Sequence, residues 1–272
     1  MKPITTPHRL AACLLVSVTL SGAVRAQDAS SADIAKQLAN PIASLISVPL
    51  QLNYDENFGP TDRGSQYKLN VQPVIPMSIS DDWNLISRTI VPVVAQEGFP
   101  TADYDEFGLG DTVQSLFFSP KAPSDSGWIW GVGPAFLVPT ATDKFLGGRK
   151  WGLGPTAVAL KQSGSWSYGG LVNHIESVAG DSDRADVSAT FMQPFVTYIT
   201  PSQTTFALNM EATYDWEAEQ WSVPVNLIGS QLVRIGDQLL QVGGGVRYWL
   251  DSPDNGPEGW GVRLFVTFVY PK

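Results

Sequence analysis

Residues 206–216 read Phe206-Ala207-Leu208-Asn209-Met210-Glu211-Ala212-Thr213-Tyr214-Asp215-Trp216. In an extended chain, successive side chains point to opposite faces. Phe206, Leu208, Met210, Ala212, Tyr214 and Trp216 therefore share one face, and Thr205, Asn209, Glu211, Thr213 and Asp215 the other. The apolar face runs the whole length of the stretch and ends in aromatics. Three more stretches repeat the pattern. In 67–80, Tyr67, Leu69, Val71, Pro73, Ile75, Met77 and Ile79 oppose Lys68, Asn70, Gln72, Ser78 and Ser80. In 240–250, Leu240, Val242, Gly244, Val246, Tyr248 and Leu250 oppose Gln241, Gly243, Gly245, Arg247 and Trp249. In 260–270, Trp260, Val262, Leu264, Val266, Phe268 and Tyr270 oppose Gly261, Arg263 and Thr267.

Working outward from these, the period-two pattern yields twelve candidate strands, at about 43–54, 65–79, 83–95, 107–119, 127–139, 150–162, 165–177, 187–199, 204–216, 221–234, 238–250 and 259–270. Each is long enough to cross a bilayer at a tilt. A soluble sandwich also alternates, so two further features decide between them. Large aromatics sit toward strand ends, at Trp83, Trp128, Trp151, Trp166, Trp216, Trp221, Tyr248, Trp260 and Tyr270. That placement matches the interfacial girdles of an outer-membrane barrel. The connections also alternate in length. Those near 59–63, 96–106, 140–149, 180–186 and 251–258 are mostly long, with 217–220 a short exception. Asp81-Asp82, Ser163-Gly164, 200–203 and Gly236-Asp237 are tight, and only 120–126 is longer. Long outer loops, short inner turns and an even strand number are the barrel arrangement.

Some stretches depart from the pattern. Ser87, Thr89 and Asp111 fall on an expected outer face, and 165–177 has no clean register. Pro49, Pro73, Pro76, Pro92, Pro134, Pro155, Pro194 and Pro224 fall inside strands, where each removes a ladder donor. Bulges or kinks are expected there.

The chain of 272 residues suits one such barrel, taken as residues 43–272. Residues 1–26 read as a secretory leader. Lys2 and Arg9 precede the apolar run 10–20, and Val24-Arg25-Ala26 supplies small residues before the expected cleavage. Leu10-Ala11-Ala12-Cys13 has the look of a lipoprotein box, but most of the apolar core follows Cys13 instead of preceding it. Residues 27–42 are expected to form an N-terminal periplasmic segment with a short helix near 31–39, ended by Asn40-Pro41.

The net charge is −9, and losing the leader removes three basic residues and no acidic one, making it −12. Nucleic-acid binding is disfavoured. Cys13 is the only cysteine, so disulfides and thiolate metal sites are not expected after cleavage.

The polar faces carry Lys68, Arg88, Glu211, Asp215, Arg247 and Arg263, which are expected to line the lumen. Buried charge must be paired or hydrated. Two readings stand side by side: a polar path whose charges select solutes, or ion pairs that fill a narrow barrel. His174 is the single histidine after the leader, so any Ser–His hydrolase would need it. Glu176 and Ser177 are close in sequence, but no nucleophile elbow surrounds Gly164-Ser165, and the chain is not read as an enzyme. Residues 180–186 place Asp181, Asp183 and Asp186 at near-alternate positions, yet lack the glycine and terminal Glu of a calcium loop. A solvated loop is expected, with no metal and no cofactor. Gly131-x-Gly133-Pro134 and Gly152-x-Gly154-Pro155 lack a following helix and are expected to face each other across a hairpin.

Several phrases carry a family resemblance. They include Asn40-Pro41-Ile42-Ala43, Leu69-Asn70-Val71-Gln72-Pro73-Val74-Ile75-Pro76, Asp82-Trp83-Asn84-Leu85-Ile86-Ser87-Arg88, Gly108-Leu109-Gly110-Asp111, Trp130-Gly131-Val132-Gly133-Pro134 and Pro139-Thr140-Ala141-Thr142. From about residue 34 onward the chain resembles the bacterial outer-membrane family named for the MetA-pathway of phenol degradation. That family is often labelled simply transporter, and some members carry the name neuromedin U. The resemblance implies an outer-membrane barrel that passes small hydrophobic or aromatic molecules, with outer-membrane lipid and the barrel assembly machinery as partners. It supplies no catalytic residues. The end Tyr270-Pro271-Lys272 lacks the terminal aromatic that many such barrels use in assembly. The rival readings are a structural or ligand-binding barrel without transport, and a soluble periplasmic β-sandwich.

Overall fold

A computed structural model describes residues 29–271. The leader lies outside the described residues. A short helix, α1 (Ala29–Leu38), is followed by sixteen strand segments in one antiparallel sheet. They are β1 (Ile46–Phe58), β2 (Gly64–Val71), β3 (Val74–Ser78), β4 (Trp83–Glu97), β5 (Asp105–Leu109), β6 (Thr112–Pro120), β7 (Trp128–Val138) and β8 (Lys150–Ser163). Then come β9 (Trp166–Gly180), β10 (Ser188–Ile199), β11 (Thr204–Met210), β12 (Ala212–Asp215), β13 (Gln220–Ser222), β14 (Pro224–Ile235), β15 (Gln238–Trp249) and β16 (Gly259–Tyr270).

Four pairs of consecutive segments (β2–β3, β5–β6, β11–β12 and β13–β14) are single strands with a local break, so the wall has twelve staves. Each stave pairs with its chain neighbours, and β16 closes on β1 from Tyr270 opposite Ile46 to Gly261 opposite Asp55. The result is a closed antiparallel β-barrel of twelve strands, as the alternation predicts. A closed barrel leaves no unpaired sheet edge, which is why strands can face hydrocarbon at all. The soluble sandwich is set aside by that closure.

The breaks have a common cause. Proline cannot donate to the ladder, but its carbonyl still accepts. Gln72 donates to the Pro49 carbonyl (2.9 Å), Thr89 to Pro73 (3.1 Å), Gly110 to Pro92 (2.9 Å) and Glu211 to Pro224 (2.9 Å). The ladder therefore bends without opening. Only the β5–β6 break changes register: Val93 pairs with Leu109 but Ile90 with Val113, so one extra residue is housed at Gly110-Asp111. That bulge flips which face each side chain takes, and explains why Asp111 reads as misplaced in a single continuous strand. Pro134 pairs directly with Pro155, so the two Gly-x-Gly-Pro phrases do face each other across a hairpin.

One end of the barrel carries the tight turns and both ends of the chain; the other carries the long loops. The tight Gly164-Ser165 and Gly236-Asp237 connections each place glycine at φ +58°, the left-handed conformation that two-residue hairpins demand. The outer surface is apolar, with Leu208, Leu227, Val246, Val262 and Leu264 each at least 44% exposed. In a water-soluble fold that much exposed aliphatic surface would be a liability.

Residues 29–45 do not hang free below the barrel. Ile34, Ala43 and Leu45 pack with Leu239 and Val269, and Ile42 with Ile86, Phe117, Val158, Leu160 and Leu171. These partners alternate with the exposed residues of their strands, so the segment sits inside the turn end of the lumen. The expected N-terminal segment is thus a plug, and its helix runs Ala29–Leu38, not 31–39.

Candidate functional site

The inner wall has two unlike halves. The first is built from β1, β2 and β11 to β16. Arg263, 2% exposed, forks onto Glu211 through two bonds, Nη1 to Oε1 (2.8 Å) and Nη2 to Oε2 (2.7 Å). Its Nε donates to the Asn53 side-chain oxygen at 2.7 Å. Two parallel charge-assisted bonds give Arg a fixed plane as well as binding energy. Glu211 can reach Arg263 because it sits at the β11–β12 break, and Gln193 also donates to it at 3.4 Å. A second strut joins Arg247 to Asp55 (3.0 Å), with the Trp249 indole donating to the same carboxylate at 2.9 Å. The Arg247 guanidinium also lies 4.9 Å from the Trp249 ring centre.

Two cations on the predicted list remain outside these pairs. Lys68, on the inward face of β2, makes no side-chain hydrogen bond or ion pair among the described residues. Arg88 makes one hydrogen bond, from Nη2 to the Gln72 side-chain oxygen at 3.2 Å, and no ion pair. The middle of the lumen therefore holds Lys68, Arg88, Arg247 and Arg263 against Asp55 and Glu211: a cationic interior in an acidic protein. Asp215 does not join them. It lies exposed at the end of β12, accepting from the Glu217 (2.9 Å) and Ala218 (3.0 Å) amides, and caps the short turn that follows.

The second half of the wall, from β4 to β10, carries an apolar patch among polar residues such as Asn84, Ser115, Thr156 and Thr197. Ile90, Val113, Leu137, Ile175 and Phe191 surround a cavity of about 310 Å³, with Arg88 and Asn173 at its border. A second cavity of about 390 Å³ opens toward the loops, lined by Phe58, Phe99, Phe145, Trp249 and Lys68 among others. Its aromatics touch: Phe58 and Phe99 are 5.3 Å apart between ring centres, Phe99 and Phe145 6.1 Å. The plug leaves a smaller space of about 150 Å³ beside Gln72 and Arg88. The ion pairs brace the wall but do not fill it.

Asp55, Asn53, Trp249 and the apolar patch were not found from the sequence. Asp55 lies just beyond the predicted first strand. In 165–177 both faces are mixed, with Ser167, Leu171, Asn173 and Ile175 inward and Trp166, Val172, His174 and Glu176 outward, which is why it shows no register.

All nine predicted interface aromatics are exposed on the outer surface, in two rings. Trp83, Trp128, Trp166 and Tyr270 mark the turn end; Trp151, Trp216, Trp221, Tyr248 and Trp260 mark the loop end. Many are paired, as Tyr248 with Trp260 at 4.9 Å and Trp166 with Tyr198 at 4.8 Å. Trp260 and Tyr270 are ten residues apart on β16, or roughly 25 Å along the barrel axis at the usual rise and tilt.

His174 points outward, near the loop end. One ring nitrogen meets Thr190 Oγ1 (2.9 Å) and the other Glu176 (2.8 Å), and Ser188 also donates to Glu176 at 2.9 Å. No serine hydroxyl reaches the ring among the described residues, and His174 stands apart from both cavities. In loop 181–187, Asp181 pairs with Arg149 at 3.7 Å and accepts from the Asp183 amide at 3.0 Å. Asp186 is tied to Lys150 at 2.9 Å, and this hydrogen bond holds its carboxyl below the ordinary aspartate value of 3.8. Among the described residues no cluster of three or more His, Cys, Asp or Glu is placed to hold a metal.

No family model matches the chain, and no curated protein does. Solved structures do. An outer membrane channel from Pseudomonas putida F1 superposes with a TM-score of 0.63 at 14% identity, over 84% of this chain and 96% of that one. The fold is that of a twelve-stranded outer-membrane β-barrel. Two others score below 0.5 and carry no argument. The outer membrane phospholipase of Salmonella typhi gives 0.47 at 10% identity, covering 87% and 97%. Outer membrane phospholipase A of Escherichia coli gives 0.46 at 10%, covering 84% and 99%.

Proposed function

We propose that this chain is an outer-membrane barrel that lets small molecules pass passively, and that it is not an enzyme. The observation that carries the reading is the interior: chambers of about 310 and 390 Å³ persist inside a closed barrel alongside its ion pairs. The outward aliphatic surface and its two aromatic rings support a place in lipid, with the long loops outside and the turn end in the periplasm. Residues 1–26 then act as the export leader, and the barrel assembly machinery inserts the mature chain. The family resemblance and the likeness to a channel favour small hydrophobic or aromatic solutes.

Residues 29–45 form the narrowest region, because Ile42 lies across the turn end against Phe117 and Leu160. That same contact supports a second reading, a barrel that binds a ligand without passing it. Planar-bilayer recording separates the two. The purified full chain is expected to give discrete conductance steps, larger when residues 29–45 are deleted. Silence from both forms would overturn the channel reading.

A further inference from the structure

The 310 Å³ chamber meets β4 at Arg88 and Ile90 and the loop-end chamber meets it at Val94 and Gln96, so the former is the lower on that strand. Two observations about this lower chamber belong together. Its wall is apolar, and the one cation on its border is Arg88. That guanidinium makes a single hydrogen bond, to Gln72, although it has five N–H donors to offer. Glu211 acts on it only through space, without a hydrogen bond or ion pair, because both Nη atoms of Arg263 engage its carboxylate. An isolated cation beside apolar surface is costly unless water or an anion meets it. No Arg88 nitrogen is among the sealed, unsatisfied atoms of the interior. Its free donors therefore face open space, which Arg88 shares between this chamber and the smaller space beside the plug.

From this we propose that the lower chamber binds a small monocarboxylate with an apolar body. The carboxylate docks on Arg88, and the body lies among Ile90, Val113, Leu137, Ile175 and Phe191. The proposal deepens the channel reading, on which it rests for the solute's route but not for the site.

Size and chemistry agree. A dry cavity near 150 Å³ lined by aliphatic and aromatic side chains takes up benzene. A space of about 310 Å³ therefore holds one ring or a short chain together with its carboxylate. Arg offers a planar fork that matches a carboxylate in two bonds. A neutral solute of the same shape would leave the fork unmet, and a small hydrophilic anion would leave the apolar wall dry.

The loop-end chamber repeats the same chemistry. Lys68, also without an ion-pair partner, lies below Phe58, Phe99 and Phe145. An amphipathic anion entering from the loops thus meets an apolar surface with a cation twice in succession. Phe191 belongs both to the lower chamber and to the cluster that holds Ile42, so the occupied chamber abuts the plug.

The test uses benzoate, with acetate as the anion lacking an apolar body and benzyl alcohol as the neutral analogue. Equilibrium binding to the full chain in detergent is followed by calorimetry, independently of conductance. Benzoate is expected to bind about tenfold more tightly than either control. Arg88→Gln should weaken it about tenfold, the worth of one charged hydrogen-bonding contact. Arg88→Lys should recover part of that loss. Val113→Phe, which fills the chamber and leaves the charge alone, should weaken benzoate as well. Equal affinity for benzoate and benzyl alcohol would overturn the proposal, as would unchanged benzoate binding in both Arg88→Gln and Val113→Phe. Should Arg88→Gln fail to give a folded barrel, Val113→Phe and the three-ligand comparison decide alone. A silent bilayer with intact, Arg88-dependent benzoate binding would sink the channel reading and leave the site standing.

Discussion

Arg263 is 2% exposed and carries three side-chain bonds, two of them to Glu211. Removing one member of a buried pair strands the other, at a cost of about 3 kcal/mol or more. Glu211→Met should therefore lower the temperature at which the barrel loses its compact gel mobility. The Glu211→Met/Arg263→Met double variant should recover most of that loss, because no buried charge is left unpaired. Equal destabilisation of single and double variants would show that the strut matters as a shape and not as a charge pair. Asp111 offers a second residue-scale test. Its carboxylate accepts from the Ala141 (3.1 Å) and Gly148 (2.6 Å) amides and so ties down loop 139–149. Asp111→Ala should expose that loop to limited proteolysis while gel mobility is unchanged; protection equal to wild type would refute the tether. Asp186 behaves in a pH-dependent way. Its folded-state pKa is depressed by Lys150, so its bond is complete above the ordinary value of 3.8 and is lost as pH falls through the lower folded value. Loop 181–187 should thus keep its proteolytic protection from pH 7 down to pH 5, and a loss within that range would point to another group.

At the scale of elements, the plug rests on a close approach at Gly131 that leaves little room for a larger side chain. A Cβ on Gly131 would stand 3.3 Å from both the Ile42 side chain and Phe117. Gly131→Val should push Ile42 off its seat while leaving the β7 ladder paired, so bilayer current should rise or become unsteady. A current identical to wild type would mean that residues 29–45 do not restrict the pore. The staves themselves were largely legible. The twelve predicted strands lie within a few residues of the observed ones; breaks fall at or opposite Pro49, Pro73, Pro92 and Pro224, whereas Pro76, Pro134, Pro155 and Pro194 stay inside unbroken strands. What the pattern concealed was any stave with apolar residues on both faces. On β9, Leu171 and Ile175 point in beside Ser167 and Asn173, while Val172 points out beside His174 and Glu176, so no alternation is visible in 165–177. The missing register was the mark of two mixed faces, which one strand alone cannot distinguish from a poorly formed strand.

For the whole molecule, the exposed aromatics predict behaviour in lipid. Brominated acyl chains should quench much of the tryptophan fluorescence of the reconstituted protein, since most of the tryptophans stand on the outer surface. Quenching by aqueous iodide with none by bromolipid would contradict the lipid-facing assignment. At this scale the division between sequence and structure has a simple physical origin. Period-two alternation is a local property, so Phe206–Trp216 and its counterparts were enough to specify strands, their outward face, the aromatic rings and the closed barrel they demand. Charge type was equally local, and Lys68, Arg88, Glu211, Arg247 and Arg263 were assigned inward from parity alone. Partnership was not. Glu211 meets Arg263 across 52 residues and Asp55 meets Arg247 across 192, separations that only ring closure brings within bonding distance. The tertiary structure likewise decided that residues 29–45 turn into the lumen and that Asp215 stays at the rim. It alone left Arg88 without a bonded carboxylate beside an apolar chamber, because which charges remain unpaired depends on how twelve staves meet.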